Sequence, residues 1–223
     1  MKHYIRTLSL FLFISVLVGQ PTFTEYSIST SADNAYSVYA ADVDGDGDMD
    51  VLSASYNDDK IAWYENDGSE SFTEHAISTS ADNAYSVYAA DVDGDGDMDV
   101  LSASYNDDKI AWYENDGSES FTEHAISDSA DNAYSVYAAD VDGDGDMDVL
   151  SASYNDDKIA WYENDGSESF TEHTVTTSAN GAHSVHAADV DGDGDMDVLS
   201  ASYNGDKIAW YENDGSESFT EHA

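Results

Sequence analysis

The residues best suited to chemistry in this chain are aspartates in the ten-residue segment DVDGDGDMDV, which occupies residues 42–51 and contains five of them. The same ten letters recur from Asp91, Asp140 and Asp189. At a spacing of roughly 7 Å, each pair of carboxylates costs about 0.6 kcal/mol even at the dielectric constant of water. A turn that needed only flexibility would use Gly, Asn or Ser. The repeated segment therefore indicates that a cation neutralises each loop.

The spacing of the carboxylates favours calcium. If Asp42 is position 1, carboxylates fall at positions 1, 3, 5 and 9 and Gly47 at position 6, as in the first part of a calcium loop. Asp48 would donate its backbone carbonyl, and Asp50 would close the site directly or through water. Oxygen ligands favour Ca²⁺ over Zn²⁺; Mg²⁺ and an acidic hairpin without a specific ion are the alternatives. The loop is not an EF-hand, because position 12 is Ser53 and not a bidentate glutamate.

These loops belong to a 49-residue unit that repeats almost letter for letter. Each unit contains four short runs rich in Val, Ile, Tyr and Trp, separated by Asn, Asp, Gly and Ser, and it lacks a sustained helical period. This pattern predicts an all-β, β-propeller-like array of four four-stranded blades. One tryptophan per unit, beginning with Trp63, is expected to pack between blades.

Whether the array closes into a ring is left open by the sequence. The FTE strand occurs five times, beginning at Phe23, whereas the other strands occur four times. In a closed ring, the first copy could complete the last blade. In an open arc or a ring of two chains, the unpaired blade edges could pair with another chain. The predicted repeats span about 23–71, 72–120, 121–169 and 170–218, with a partial repeat at 219–223.

The first 20 residues predict a signal peptide. Lys2, His3 and Arg6 precede an apolar run at residues 8–18, which is too short to span a bilayer comfortably. Removal of this segment leaves a domain at residues 21–223 and changes the formal charge from −42 to −44. Such a charge repels nucleic acid and anionic lipid. We therefore expect a secreted protein with no further membrane span and no nucleic-acid partner.

The segments DVDGDGDMDVL and ASYNDDKIAWYENDG resemble the FG-GAP/VCBS repeat family, whose best-known members form the integrin α-chain propeller. The resemblance extends over residues 23–223 and implies a calcium-binding propeller, with extracellular adhesion or ligand binding as its role. Members usually have about seven blades, whereas this chain has four. The metal ligands implied by the resemblance, about four Ca²⁺ per chain, are Asp42, Asp44, Asp46, Asp48, Asp50, Asp91, Asp93, Asp95, Asp97, Asp99, Asp140, Asp142, Asp144, Asp146, Asp148, Asp189, Asp191, Asp193, Asp195 and Asp197.

An enzyme is not expected. Glu65 and Glu74 could supply paired carboxylates for glycoside hydrolysis, but identical repeats give each pair the same environment, and acid and base need different ones. His75 and its copies are replaced by Tyr26 in the first unit, which favours a packing or surface position. The leading function is a secreted calcium-binding module for an extracellular protein or polysaccharide. The alternatives are a structural spacer or fragment of a larger repeat protein without its own ligand and, more weakly, a polysaccharide-active enzyme.

Overall fold

The computed structural model describes residues 23–223, so the predicted signal peptide at residues 1–20 lies outside the described part of the chain. The described residues form sixteen strands in four separate four-stranded sheets. Residues 23–223 contain no helix that is long and apolar enough to cross a bilayer. The prediction of an all-β array of four-stranded units is confirmed.

Each sheet is called a blade here and contains four consecutive strands. Blade 1 contains β1 (Ala35–Ala41), β2 (Asp50–Ser55), β3 (Lys60–Asn66) and β4 (Phe72–Ser78). Blade 2 contains β5 (Ala84–Ala90), β6 (Asp99–Ser104), β7 (Lys109–Asn115) and β8 (Phe121–Ser127). Blade 3 contains β9 (Ala133–Ala139), β10 (Asp148–Ser153), β11 (Lys158–Asn164) and β12 (Phe170–Thr176). Blade 4 contains β13 (Ala182–Ala188), β14 (Asp197–Ser202), β15 (Lys207–Asn213) and β16 (Phe219–His222).

Within a blade, the strands pair in chain order as an antiparallel meander. In blade 1, Leu52 pairs with Trp63, and Trp63 pairs with His75, so large side chains stand opposite each other across the strands. The turn between β2 and β3 places Asp59 at a φ of 53°, a left-handed conformation that Asp tolerates better than most residues. The NDD segments are therefore turns, as their composition predicts.

The core lies between blades, because each blade covers one face of the next. Ile61 and Trp63 of blade 1 form one buried cluster with Val87 and Val100 of blade 2, and equivalent clusters fill the next two junctions. The tryptophans of the first three blades are at most 1% exposed, which confirms their predicted packing role. Trp210 is only partly buried because the described residues place no blade after blade 4.

Within residues 23–223, the stack is open at both ends. Val38 in blade 1 is 70% exposed, whereas the equivalent Val87 in blade 2 is 3% exposed. At the other end, Ile208 in blade 4 is 72% exposed, whereas the equivalent Ile159 in blade 3 is fully buried. We call the face that contains Val38 or its equivalent the leading face of a blade, and the face that contains Ile61 or its equivalent the trailing face.

The predicted strand at Phe23 is wrong. Residues 23–34 contain no strand, and Phe23 is 94% exposed. The edge that this segment would have completed is occupied by β16, which pairs with β15 through Phe219 and His222 among others. The N-terminal segment instead lies beside blade 1, where Ser31 Oγ donates a hydrogen bond to Glu74 Oε2 at 2.8 Å.

Candidate metal centres

Each aspartate-rich loop joins the first and second strands of a blade, and three of its five carboxylates converge. One carboxylate oxygen from each of the three residues lies within 4.8 Å of the others in every blade. The first and second residues sit in the loop, and the third begins the second strand. The four groups are Asp42, Asp44 and Asp50; Asp91, Asp93 and Asp99; Asp140, Asp142 and Asp148; and Asp189, Asp191 and Asp197.

Two glycines and a set of backbone hydrogen bonds shape the loop. Gly45 and Gly47 adopt φ angles of 74° and 98°, in the left-handed region that side chains rarely enter. Gly47 N donates to Asp42 Oδ2 at 3.1 Å, and Asp46 N donates to Asp44 Oδ1 at 3.0 Å. The same aspartates that could bind a cation therefore also turn the backbone around the site.

Asp50 supplies the third carboxylate of the group in blade 1, and it is fully buried. Its Oδ2 accepts a hydrogen bond from Val43 N at 2.9 Å, and its Oδ1 accepts one from Asn66 N at 2.8 Å. These bonds connect the loop to the start of β2 and the end of β3. The carboxylate is therefore held in place by backbone N–H groups of the loop and of β3.

The electrostatics of the loops favour a cation. Burial, and then the charges of Asp50, Asp46 and Asp42, raise the pKa of Asp44 above its ordinary value. In blade 2, burial raises the pKa of Asp99 to about 6, although N–H groups of Asn115 and Val92 partly offset the shift. A raised pKa means that the negative form is disfavoured, and a bound cation would reverse that cost.

An unsatisfied oxygen adds to this argument in the first two blades. Asp42 Oδ1 and Asp91 Oδ1 are buried and have no hydrogen-bond partner among the described residues. Burying a carboxylate oxygen without a partner is costly. In the last two loops the corresponding oxygens accept hydrogen bonds from Gly143 N and Gly192 N. The residues present therefore fit a hard cation with oxygen ligands.

The other two predicted ligands of each loop lie outside these three-carboxylate groups. In blade 1, Asp46 Oδ1 accepts a hydrogen bond from Asp48 N at 2.8 Å. The Asp48 carboxylate lies against Gly68, so closely that a Cβ at that position would collide with it. The structure thus brings together the side chains of Asp42, Asp44 and Asp50 and uses Asp46 and Asp48 in the shape of the loop.

One residue that supports the site is not singled out by sequence reasoning. Asn115, at the end of β7, donates through its backbone N to Asp99 Oδ1 at 2.8 Å. Its side-chain Nδ2 donates to Met98 O in the same loop and to Val43 O in the preceding loop, both at 3.1 Å. Asn115 therefore connects two adjacent candidate metal centres. The only signal for this role is the Asn that ends each YEN segment.

The histidines and glutamates considered as catalytic groups lie in the third and fourth strands of the blades. The His75 ring stacks on Trp63 with a centroid distance of 4.6 Å, and His75 Nε2 lies 2.9 Å from Glu65 Oε2. Glu74 accepts a hydrogen bond from Lys60 Nζ at 2.7 Å, and this contact lowers the pKa of Glu74. A general acid needs a raised pKa, so these contacts do not suit Glu74 to that role.

The four stacked blades with acidic loops define a class of propeller-like repeat proteins with candidate cation sites. The FG-GAP-like repeat profile matches residues 9–53, 42–102, 91–151, 140–200 and 189–223. The chain therefore belongs to the FG-GAP-like repeat family, as its sequence motifs predict. The comparison with curated proteins gave no match.

Two solved structures are similar to this chain. A crystal structure of a protein from Lactobacillus plantarum is 16% identical, with a TM-score of 0.58, over 85% of this chain and 55% of that chain. The crystal structure of the V. cholerae biofilm matrix protein Bap1 is 23% identical, with a TM-score of 0.48, over 84% of this chain and 30% of that chain. This chain therefore spans about half the length of the first protein and less than a third of the second.

Proposed function

We propose that this protein is a secreted, non-catalytic binding module whose blades are stabilised by one Ca²⁺ each. The observation that carries the proposal is the convergence of three carboxylates within 4.8 Å in all four loops. Exposed acidic clusters are common on protein surfaces, but the third carboxylate of each group, such as that of Asp50, is fully buried. Oxygen-only ligands in glycine-containing loops suit Ca²⁺ better than softer metals.

The overall charge supports the same proposal. The formal net charge is −42, and most of it is carried by aspartates and glutamates of the repeats. Divalent cations in the loops would reduce repulsion where the carboxylates are closest. The extracellular space, where calcium is present at millimolar concentration, is the environment in which weak sites of this kind are occupied.

The first strands of the blades offer a surface for the ligand. β1, β5, β9 and β13 contact one another in sequence, and they carry tyrosines or histidines at matching positions. Tyr85 and Tyr134 lie with ring centroids 4.1 Å apart. A cavity of about 290 Å³ is lined only by aromatic residues, namely Tyr85, Tyr134, Tyr154, His183 and Tyr203. Such rings present an apolar body and a polar tip, which suits a polysaccharide.

The calcium part of the proposal is tested by equilibrium dialysis against Ca²⁺ followed by elemental analysis. The expected result is about four Ca²⁺ per chain, displaced by chelator but not by a tenfold excess of Mg²⁺. A stoichiometry of zero would refute calcium binding and leave the loops as acidic hairpins.

The ligand part is tested separately on a glycan array with Ca²⁺ present. The expected result is binding that Tyr154→Ala weakens and Tyr26→Ala leaves unchanged, because Tyr26 is 78% exposed and lies outside the aromatic cavity. If no glycan binds while calcium does, the structural-spacer alternative replaces the binding module. If turnover of a bound polysaccharide is detected, the non-catalytic assignment is wrong.

A further inference from the structure

The two ends of the blade stack expose opposite halves of one recurring junction. At each internal junction, the trailing face of one blade covers the leading face of the next, and Ile61 and Val87 enter the same buried cluster. At the ends, the equivalent residues are Ile208, 72% exposed, and Val38, 70% exposed. The repeats are nearly identical, so these end faces have the same chemistry as the faces that pair inside the chain.

Hydrogen bonding at the ends shows the same complementarity. At each internal junction, an asparagine Nδ2 donates to a valine carbonyl of the preceding loop, as Asn213 does to Val141 O at 3.0 Å. In blade 1, the equivalent Asn66 donates within its own blade, to Met49 O at 3.1 Å, and the described residues place no preceding loop beside it. In blade 4, the equivalent acceptor residue is Val190, which is 47% exposed instead of buried.

A second hydrogen bond, from a valine N to a serine Oγ, also joins adjacent blades and lacks one partner at each end of the stack. Val87 N donates to Ser37 Oγ of the preceding blade at 3.3 Å, and Val185 N does the same to Ser135 Oγ. Among the described residues, Val38 N has no equivalent serine before it, and Ser184 Oγ has no equivalent backbone N–H after it. Blade 1 therefore presents two donors, and blade 4 presents the two matching acceptors.

The N-terminal segment covers only part of the leading face of blade 1. Residues 26–29 border a cavity shared with Val51 and Tyr64, and Tyr64 is 3% exposed. Val38, on the same face, remains 70% exposed. Among the described residues, the segment therefore covers Tyr64, whose equivalent Tyr113 enters a junction cluster, and leaves exposed Val38, whose equivalent Val87 enters the same cluster.

We propose that a second copy of this chain docks head to tail, with the trailing face of its blade 4 on the leading face of blade 1. The two donors of one copy then meet the two acceptors of the other in the arrangement already present at three internal junctions. The interface is heterologous, so two copies can close into a ring if the rotation between blades allows it, and otherwise extend into a filament. This association does not depend on the ligand or on the identity of the cation.

The test uses four forms of the full chain in sedimentation velocity, at roughly 0.15 M salt with Ca²⁺ present, because exposed charges are then screened beyond about 8 Å. Val38→Asp disables the leading face, and Ile208→Asp disables the trailing face. Thr122→Asp is the matched control, because it adds the same charge on the exposed outer strand β8, away from both faces. All forms carry the same residues 1–22, so differences among them report the end faces.

The unchanged chain and Thr122→Asp are expected to self-associate with similar affinity. Val38→Asp and Ile208→Asp are each expected to weaken association at least tenfold. An equimolar mixture of these two variants should recover a 1:1 dimer that does not grow further, because each retains the face that the other lacks. A monomeric unchanged chain at all concentrations would overturn the proposal. Full association of either single variant by itself would also overturn the proposal, because two identical faces would then contact each other.

Discussion

Replacing Asp93 by Asn in the loop of blade 2 is predicted to have opposite effects on stability without and with calcium. Asp93 contributes one oxygen to a group in which all three carboxylate oxygens lie within 4.8 Å of one another. Burial and the neighbouring charges of Asp95 and Asp91 raise its pKa, which shows that the negative form is disfavoured. An asparagine keeps the shape and the acceptor for Asp95 N but removes the charge.

The size of the effect follows from the distances. At 4.8 Å, a pair of carboxylates repels by about 0.9 kcal/mol at the dielectric constant of water and about 3.5 kcal/mol at an effective dielectric constant of 20. Asp93 takes part in two such pairs and is only partly buried, so the lower figure applies. Its replacement should stabilise the metal-free protein by roughly 2 kcal/mol, which raises Tm by about 4–8 °C for a domain of this size.

In the presence of calcium, the effect of Asp93→Asn on the free energy of unfolding has the opposite sign. At a thousandfold excess over Kd, one site contributes about 4.1 kcal/mol. The variant loses this contribution, but it still lacks the carboxylate repulsion of roughly 2 kcal/mol. It should therefore be about 2 kcal/mol less stable than the unchanged chain in calcium. Calorimetry with chelator and with calcium measures both values, and elemental analysis should show one Ca²⁺ fewer per chain.

Asp97→Asn is the matched control. It removes the same charge from the same loop, but Asp97 lies outside the three-carboxylate group of blade 2. This variant should keep the full calcium stoichiometry and show no reversal between the two conditions. If Asp93→Asn and Asp97→Asn behave alike, the reasoning from convergent carboxylates is refuted.

Three further predictions concern pH and packing. Burial raises the pKa of Asp99 from 3.8 to about 6. The contribution of Asp99 to the stability of the metal-free protein is therefore greatest below about pH 4 and is lost as the pH rises to 6, and thermal melts in chelator should show this decline. Trp161→Ala should destabilise the chain by about 3–5 kcal/mol and Trp210→Ala by much less, measured by urea unfolding at low protein concentration, because Trp161 is fully buried and Trp210 is not. Asn164→Ala should cost about 1 kcal/mol more than Asn66→Ala in the same assay, because only Asn164 donates to the preceding blade; equal costs would contradict the assigned role of this bond.

The sequence predicts the blade but not every contact between blades. Alternating valines and tyrosines between turn residues are local signals, and they identify the strands from Ala35 to His222 because each strand pairs with its neighbour in the chain. The bond from Asn115 to Val43 O joins residues that are 72 positions apart, and no local pattern encodes it. The strand predicted at Phe23 fails for a related reason, because a strand needs an edge to pair with and β16 already occupies that edge.

The sequence predicts the loop that carries the candidate site, and the structure adds which of its carboxylates converge. The spacing of the aspartates predicts ligand carboxylates at positions 1, 3, 5 and 9 of the loop and a backbone carbonyl ligand from Asp48. The two glycines with positive φ turn the backbone, and the group that results contains Asp42, Asp44 and Asp50. Asp50 belongs to it because backbone N–H groups of the loop and of β3 hold it in place. That geometry depends on hydrogen bonds that form only in the folded sheet, and the spacing of the aspartates in the sequence does not specify them.

The most direct test of the calcium proposal is a thermal melt of the full chain in chelator, in Mg²⁺ and in Ca²⁺ at matched ionic strength. At a hundredfold excess over Kd, each site contributes about 2.7 kcal/mol, so the four candidate sites contribute on the order of 10 kcal/mol. For a domain of about 200 residues, this corresponds to a rise in Tm of about 20 °C or more. We predict that Ca²⁺ produces this rise and that Mg²⁺ produces a much smaller one. Identical melting curves in all three conditions would show that the loops bind no specific ion, and would contradict the proposal.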